Sequence, residues 1–179
     1  QAKTSIVSPQ TEAERKFTEA GIQGKVLVTG ATGFLGYHLV EALAHCGVQA
    51  RALVRDQGRV SQKIQEQAEI VCGDLRDQAS IEAAMKDVEI VYHCAAVTNN
   101  NLSWKTHFET NVQGTENVLK AAQKSGVKQV IHMSSVIVYG LSSPDHNGSI
   151  TENSPNASKP DQWAYYMRSK MEADQLAQK

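Results

Sequence analysis

The chain has 179 residues, enough for one domain with a sizeable core. With 41% hydrophobic residues, 21% charged residues and a net charge of −1, it reads as an ordinary globular sequence and carries no electrostatic footprint for nucleic acid or an anionic membrane. No apolar run is long enough to span a bilayer.

Residues 1–23 read as a polar lead-in without the apolar core of a signal peptide, although the chain begins without Met. Within it, Thr11–Ala20 has the pattern of a short helix, with Thr11 as cap and Glu14 three residues on. Strand one is expected at 25–30, and helix one from about 33 to 46, ended by Gly47. Strand two covers 48–54 and ends in Arg55-Asp56. A loop and a short helix fill 57–67, and strand three is 68–72. Asp77 caps a helix from about 79 to 86, and strand four is 88–94. A polar loop at 98–104 leads to a long helix over about 105–125, which Gly126 ends. Strand five is 128–133. The Pro-, Ser- and Asn-rich stretch 140–161 is a loop, and the chain is helical from 162 to its end.

The alternation of strand and helix, with continuously apolar strands, predicts an α/β fold: a doubly wound parallel sheet covered by helices on both faces. Right-handed crossovers then bring Gly30, Arg55, Asp74, Ala95 and Ser135, which all follow strand ends, to one sheet edge where ligands bind. The first strand–helix turn carries Gly30, Gly33 and Gly36 in a G-x-x-G-x-x-G spacing. Backbone N–H groups and a helix dipole at such a turn suit a pyrophosphate. Gly30 permits the tight turn, Gly33 the approach of a ligand, and Gly36 the close packing of helix on strand.

At the end of strand two, Arg55, with Arg59 nearby, suits a 2′-phosphate, so the reading favours NADP over NAD. The alternative is that Asp56 takes the ribose hydroxyls and Arg55 is a solvated charge. Asp74 and Leu75 are placed to accept from adenine and flank its ring; the alternative is that Asp74 only turns the chain. Tyr166 and Lys170 lie one turn apart on a single helix face, with Ser135 at the neighbouring strand end. An ammonium close to a tyrosine favours its phenolate, which makes a general acid/base usable near neutral pH, and Ser135 would hold the substrate oxygen. Tyr165 is out of register with Lys170.

These segments resemble an extended short-chain dehydrogenase/reductase, the family that includes NAD(P)-dependent epimerases and dehydratases. The matching stretches are Thr29–Gly36, Gly73–Leu75, His93–Ala96, Asn111–Thr115, Ser134-Ser135 with Val138–Gly140, Glu152–Pro155 and Tyr166–Lys170, in the family's order over residues 25–175. The resemblance implies a Rossmann domain over 24–179. Gly30, Gly33 and Gly36, with the backbone of Thr32, Phe34 and Leu35, would cradle the pyrophosphate. Asp74 and Leu75 would contact adenine, and Ala95 and Ala96 would line the cofactor. Ser135, Tyr166 and Lys170 would form the catalytic triad, with Lys170 also bonding the nicotinamide ribose and Asn111 supporting the network.

The chain departs from the family in three ways. Val136-Ile137 replaces the Asp-Glu pair of dehydratases, which argues against sugar dehydration. Arg55 replaces the acid of NAD-using epimerases and resembles the reductase branch. Family members continue well past Lys179, so a C-terminal substrate lobe is expected to be missing. The resemblance implies a small-molecule substrate, either a ketone or alcohol or a nucleotide sugar. A dinucleotide-binding module without turnover is the reading from another class. Three scattered cysteines, Cys46, Cys72 and Cys94, predict buried, reduced thiols and a cytoplasmic setting. His93, His107 and His132 each lie within an expected strand or helix with no paired ligand and read as core or surface histidines, so no metal is expected. Trp104 and Trp163 suit a substrate mouth or plain packing. The 105–125 helix could form the face of a homodimer.

Overall fold

Runs rich in Val, Ile, Leu and Ala form β1 (Lys25–Thr29), β2 (Ala50–Val54), β3 (Ala68–Cys72), β4 (Val88–His93) and β5 (Gln129–His132) of a computed structural model. It describes residues 21–22, 24–140, 150–151, 153–157 and 164–179. The expected lead-in helix at Thr11–Ala20, Glu152 and Trp163 lie outside the described residues. The strands pair in parallel in the order β3-β2-β1-β4-β5. Their registers are level: Thr29 stands beside both Leu53 and His93, and His93 beside His132. The residues that follow the strands therefore meet at one edge, and the order reverses between β1 and β4, where doubly wound sheets bind ligands.

Alternation along the strands divides the core. Val26, Val28, Ala50, Ala52 and Val54 face α1 (Phe34–His45) and α2 (Gln62–Gln67), burying Val40, Leu43 and Ile64. Leu27, Leu53 and Val91 face the other way, onto Ile81 and Ala84 of α3 (Gln78–Ala84) and Val118 and Ala121 of α5 (Gly114–Lys124). The result is the expected three-layer α/β/α arrangement of a Rossmann fold.

Several boundaries differ from expectation for physical reasons. β2 starts at Ala50 because the Val48 N–H is spent on the Leu43 carbonyl, 2.9 Å away, in closing α1. The helix expected over 105–125 is α4 (Trp104–His107), a π-helical turn (Phe108–Gln113) and then α5. A 3₁₀ turn (Val136–Tyr139) follows Ser135, which caps it, and α6 (Tyr165–Ala177) closes the described chain.

Arg51 is buried in the middle of β2. Its Nη1 donates to the carbonyls of Ala84 at 2.7 Å and Lys86 at 2.6 Å, at the C-terminal end of α3, and its Nε and Nη2 grip Glu69 of β3. One guanidinium thus satisfies helix-end carbonyls and offsets its own charge. Among the described residues, no helix is long and apolar enough to cross a membrane.

Candidate active site

Helices α2, α3 and α4 begin on the side-chain caps Ser61, Asp77 and Ser103. Helix α1 instead begins on Gly33, with no side-chain cap and no acid in its first turn. Its first N–H groups are left for an anion. Gly30 has φ +72°, and a Cβ there would stand 2.8 Å from the Ala95 backbone. At Gly36 a Cβ would collide with the Gly30 carbonyl. The turn is therefore held tight against the end of β4, and any larger residue would open it.

A cleft of about 210 Å³ runs along this edge. It brings together Gly30, Thr32 and Gly33 from the glycine turn, Arg55 after β2, Asp74 and Leu75 after β3, and Ala95 and Ala96 after β4. Phe34 and Leu35 lie outside its lining and are 86% and 43% exposed, while Gly36 is buried behind the turn. Leu75 reaches the cleft but is mostly a core residue.

The acids at this end are engaged. Asp56 accepts from the Gly58 N–H at 2.9 Å and caps a short 3₁₀ turn (Gln57–Arg59). Both Asp74 oxygens accept from Arg76, a pairing that holds the carboxyl below the ordinary carboxylate range, with Arg55 adding a smaller push in the same direction. The sequence reading assigned nothing to Arg76.

At the other end of the edge, the Lys170 ammonium is buried and donates to the Met133 carbonyl, just past β5, at 2.6 Å. Burial pulls its pKa below the usual lysine range, while Asp174 and Cys94 push the other way. Tyr166 lies one turn before Lys170 on α6, and α6 packs on the 3₁₀ turn that Ser135 begins. Tyr165 turns outward against Trp104 and His107 and is 46% exposed. Trp104 packs under the Arg168 guanidinium, 4.0 Å from the ring centroid.

Asn111 joins the two ends. It lies buried in the π-helical turn, accepts from the Val97 N–H at 2.7 Å, and donates to the Val97 carbonyl and Ser169 Oγ, each at 2.9 Å. The Ser169 hydroxyl donates to the Tyr166 carbonyl at 2.8 Å.

Beneath the cleft the sequence reading missed a second chain of bonds. The Ala95 N–H donates to Thr29 Oγ1, which lies 2.7 Å from His93 Nδ1, and His93 Nε2 lies 3.0 Å from Thr115 Oγ1. The Thr115 hydroxyl donates to the Asn111 carbonyl at 2.6 Å. With the Thr115 proton spent on Asn111, His93 Nε2 is the donor toward Thr115, and burial disfavours a second proton on the ring. Burial holds His93 down to about 3 and His132, whose ring stacks 5.4 Å away, down to about 4. Both histidines pack against each other within the sheet edge. Cys72 is exposed and Cys46 and Cys94 are half-buried, so the expected burial of the thiols does not hold.

A parallel sheet with an uncapped glycine turn at its switch point, and a Tyr–Lys helix beside it, defines a doubly wound α/β protein of the Rossmann type. The chain belongs to the NAD dependent epimerase/dehydratase family, whose profile matches residues 26–179. It is 36% identical over 152 residues to the N-acetyl-alpha-D-glucosaminyl-diphospho-ditrans,octacis-undecaprenol 4-epimerase of Escherichia coli O157:H7, covering 84% of this chain and 42% of that protein. It is 31% identical over 153 residues to a 4-hydroxy-2-methyl-3-oxo-4-farnesyl-3,4-dihydroquinoline-1-oxide ketoreductase of Stigmatella aurantiaca, covering 85% and 44%. Among solved structures it resembles the Bordetella bronchiseptica enzyme WbmG in complex with NAD and UDP. There the TM-score is 0.72 at 25% identity, covering 88% of this chain and 50% of that one. The chain thus spans half or less of the length of these relatives.

Proposed function

We propose that the protein binds a nicotinamide dinucleotide through residues 24–179 and transfers hydride at a carbonyl or alcohol carbon of a small molecule. The observation that carries this reading is the buried Lys170 ammonium, seated on the Met133 carbonyl one turn from Tyr166 and at the same sheet edge as the uncapped glycine turn. The chain's residues fit such a group. The turn of Gly30, Gly33 and Gly36, with the backbone of Thr32, Phe34 and Leu35, offers donors to a pyrophosphate; Asp74 and Leu75 flank adenine; Ala95 and Ala96 form a wall.

When bound, the dinucleotide supplies or accepts the hydride. Ser135 holds the substrate oxygen. Tyr166 gives its hydroxyl proton to a carbonyl being reduced, or takes the proton of an alcohol being oxidised. Lys170 stabilises the negative charge left on the Tyr166 oxygen and bonds the nicotinamide ribose. Asn111 is a positioning residue, tying Val97 and α6 together.

NADP is the favoured dinucleotide. Support comes from Arg55, which lines the cleft just past β2, and from Arg59, which lines the adjoining recess, while one Asp56 oxygen accepts from the Gly58 N–H. The substrate is a ketone or alcohol. A second reading, epimerisation of a nucleotide sugar with NAD, is supported by the likeness to the Escherichia coli 4-epimerase. Cys46, Cys72 and Cys94 form no disulfide among the described residues, which supports a reducing, cytoplasmic setting. The exposed Phe108, within the 105–125 segment, supports a homodimer through that segment's face.

The test is Tyr166→Phe. It is expected to keep dinucleotide binding, read by nicotinamide fluorescence, and to lower turnover with ketone or UDP-sugar panels by at least about 100-fold. Binding of neither NADPH nor NADH by the unaltered protein, or undiminished turnover in the variant, overturns the reading.

A further inference from the structure

Arg76 folds back over the residue two positions before it. Its Nε donates to Asp74 Oδ1 at 3.0 Å, its Nη2 to Oδ2 at 2.6 Å, and its backbone N–H to Oδ1 at 2.9 Å. The pair lies on the wall of a second cleft of about 410 Å³, lined by Thr32, Arg55, Asp56, Arg59, Asp74 and Arg76. Thr32, Arg55 and Asp74 also line the first cleft, so the two are continuous. Both acids of the second cleft have partners: one Asp56 oxygen accepts from the Gly58 N–H, and both Asp74 oxygens accept from Arg76. The guanidiniums of Arg55 and Arg59 make no hydrogen bond among the described residues, and neither does Nη1 of Arg76. Three guanidiniums face two engaged carboxylates, which leaves a net positive recess with free donors beside a threonine hydroxyl.

We propose that Arg76 is a specificity-determining residue for the dinucleotide. Together with Arg55 and Arg59 it forms an anion subsite that selects a 2′-phosphorylated ribose. The proposal rests on the dinucleotide reading above. Arg76 acts in two ways. It offers Nη1 donors to the phosphate, and it cancels the Asp74 charge, which would otherwise repel an anion in the same recess. Asp74 in turn fixes the guanidinium, so little side-chain freedom is lost when an anion arrives. Arg55 alone, exposed at a strand end, lacks that preorganisation.

The test is a titration of the protein and its Arg76→Ala variant with four probes: NADPH, NADH, 2′,5′-ADP and 5′-AMP. The Arg76 side chain is 54% exposed, so the variant keeps the fold, which circular dichroism checks; Arg76→Gln serves as the second variant. The unaltered protein is expected to prefer NADPH. The substitution is expected to weaken NADPH and 2′,5′-ADP by at least about 10-fold and NADH and 5′-AMP by less than about 3-fold. The salt dependence of NADPH binding is expected to become shallower. Equal weakening of all four probes, or unchanged NADPH affinity, overturns the subsite. NADH bound as well as NADPH by the unaltered protein also overturns it while leaving the dinucleotide reading intact. Binding of neither overturns both.

Discussion

Arg51 carries its charge into the core, whereas Arg55, at the end of the same strand, keeps its own in water. The difference lies in partners. Arg51 reaches the last carbonyls of α3 and the Glu69 carboxylate, so its donors are satisfied on both sides of β2. Arg51→Met is therefore expected to destabilise the protein by about 2–4 kcal/mol, because it strands helix-end carbonyls away from water. Arg51→Lys is expected to recover only part of this, since an ammonium cannot serve both sides at once. Urea denaturation checks both, and a loss below about 0.5 kcal/mol in the methionine variant would show that water replaces the guanidinium. Arg55 was legible in the sequence because it ends an apolar run. Arg51 was not, because Ala84 and Lys86 lie more than thirty residues away and a lone charge inside a strand does not reveal its partners. Arg76 was hidden for a related reason. Its local sequence suggests a turn, and only the fold brings it beside Arg55 and Arg59.

Among the elements, the π-helical turn at Phe108–Gln113 does what a regular helix would not. A local widening re-aims one residue, and here that residue is Asn111, whose amide pairs with both backbone groups of Val97 and also reaches Ser169. Asn111→Ala removes three hydrogen bonds made by one buried side chain. It is expected to cost about 2–4 kcal/mol and to raise hydrogen exchange at Val97 well above that of the β4 amides. Unchanged exchange at Val97 would mean that the loop after β4 is held by other contacts. The hydrophobic pattern located this helix to within a residue at either end but not its interruption, since the spacing of apolar residues over one turn does not separate α from π geometry. The 3₁₀ turn at Val136–Tyr139 escaped for another reason. Val136, Ile137 and Val138 are β-branched and look like strand, yet β5 has ended at His132 and Ser135 caps a turn instead. The central strands were plain, because burial on both faces of β1 and β2 writes mostly apolar runs, and the edge strands β3 and β5 kept enough Val and Ile to be read with them. The glycine turn was plain because Gly30 and Gly36 occupy positions that a Cβ would close.

At the scale of the whole molecule, two histidines couple the sheet edge to pH. His93 and His132 are neighbours on β4 and β5, and burial holds them to about 3 and about 4 in the folded chain, below the ordinary histidine value of about 6.5. The unfolded chain binds protons at both sites once the pH falls below about 6.5, while the folded chain does not until near 4 and 3. The unfolded state thus holds more protons across this window, so stability is full above it and is lost as the pH falls through it. Asp74 and Glu69, held low by Arg76 and Lys25, lose stability in the same direction, but only once carboxylates of the unfolded chain begin to protonate near their ordinary values. Between about pH 6.5 and 5 the loss therefore belongs to the histidines, and its slope approaches about 1.4 kcal/mol per pH unit for each. His132→Leu separates the two. Both His132 ring nitrogens are buried without a hydrogen-bond partner among the described residues. An aliphatic side chain of similar size removes that burden, so the variant is expected to be at least as stable at pH 7. It should also lose about half as much stability between pH 7 and 5. Urea midpoints at the two values measure this, and an unaltered slope would place the proton uptake elsewhere in the molecule.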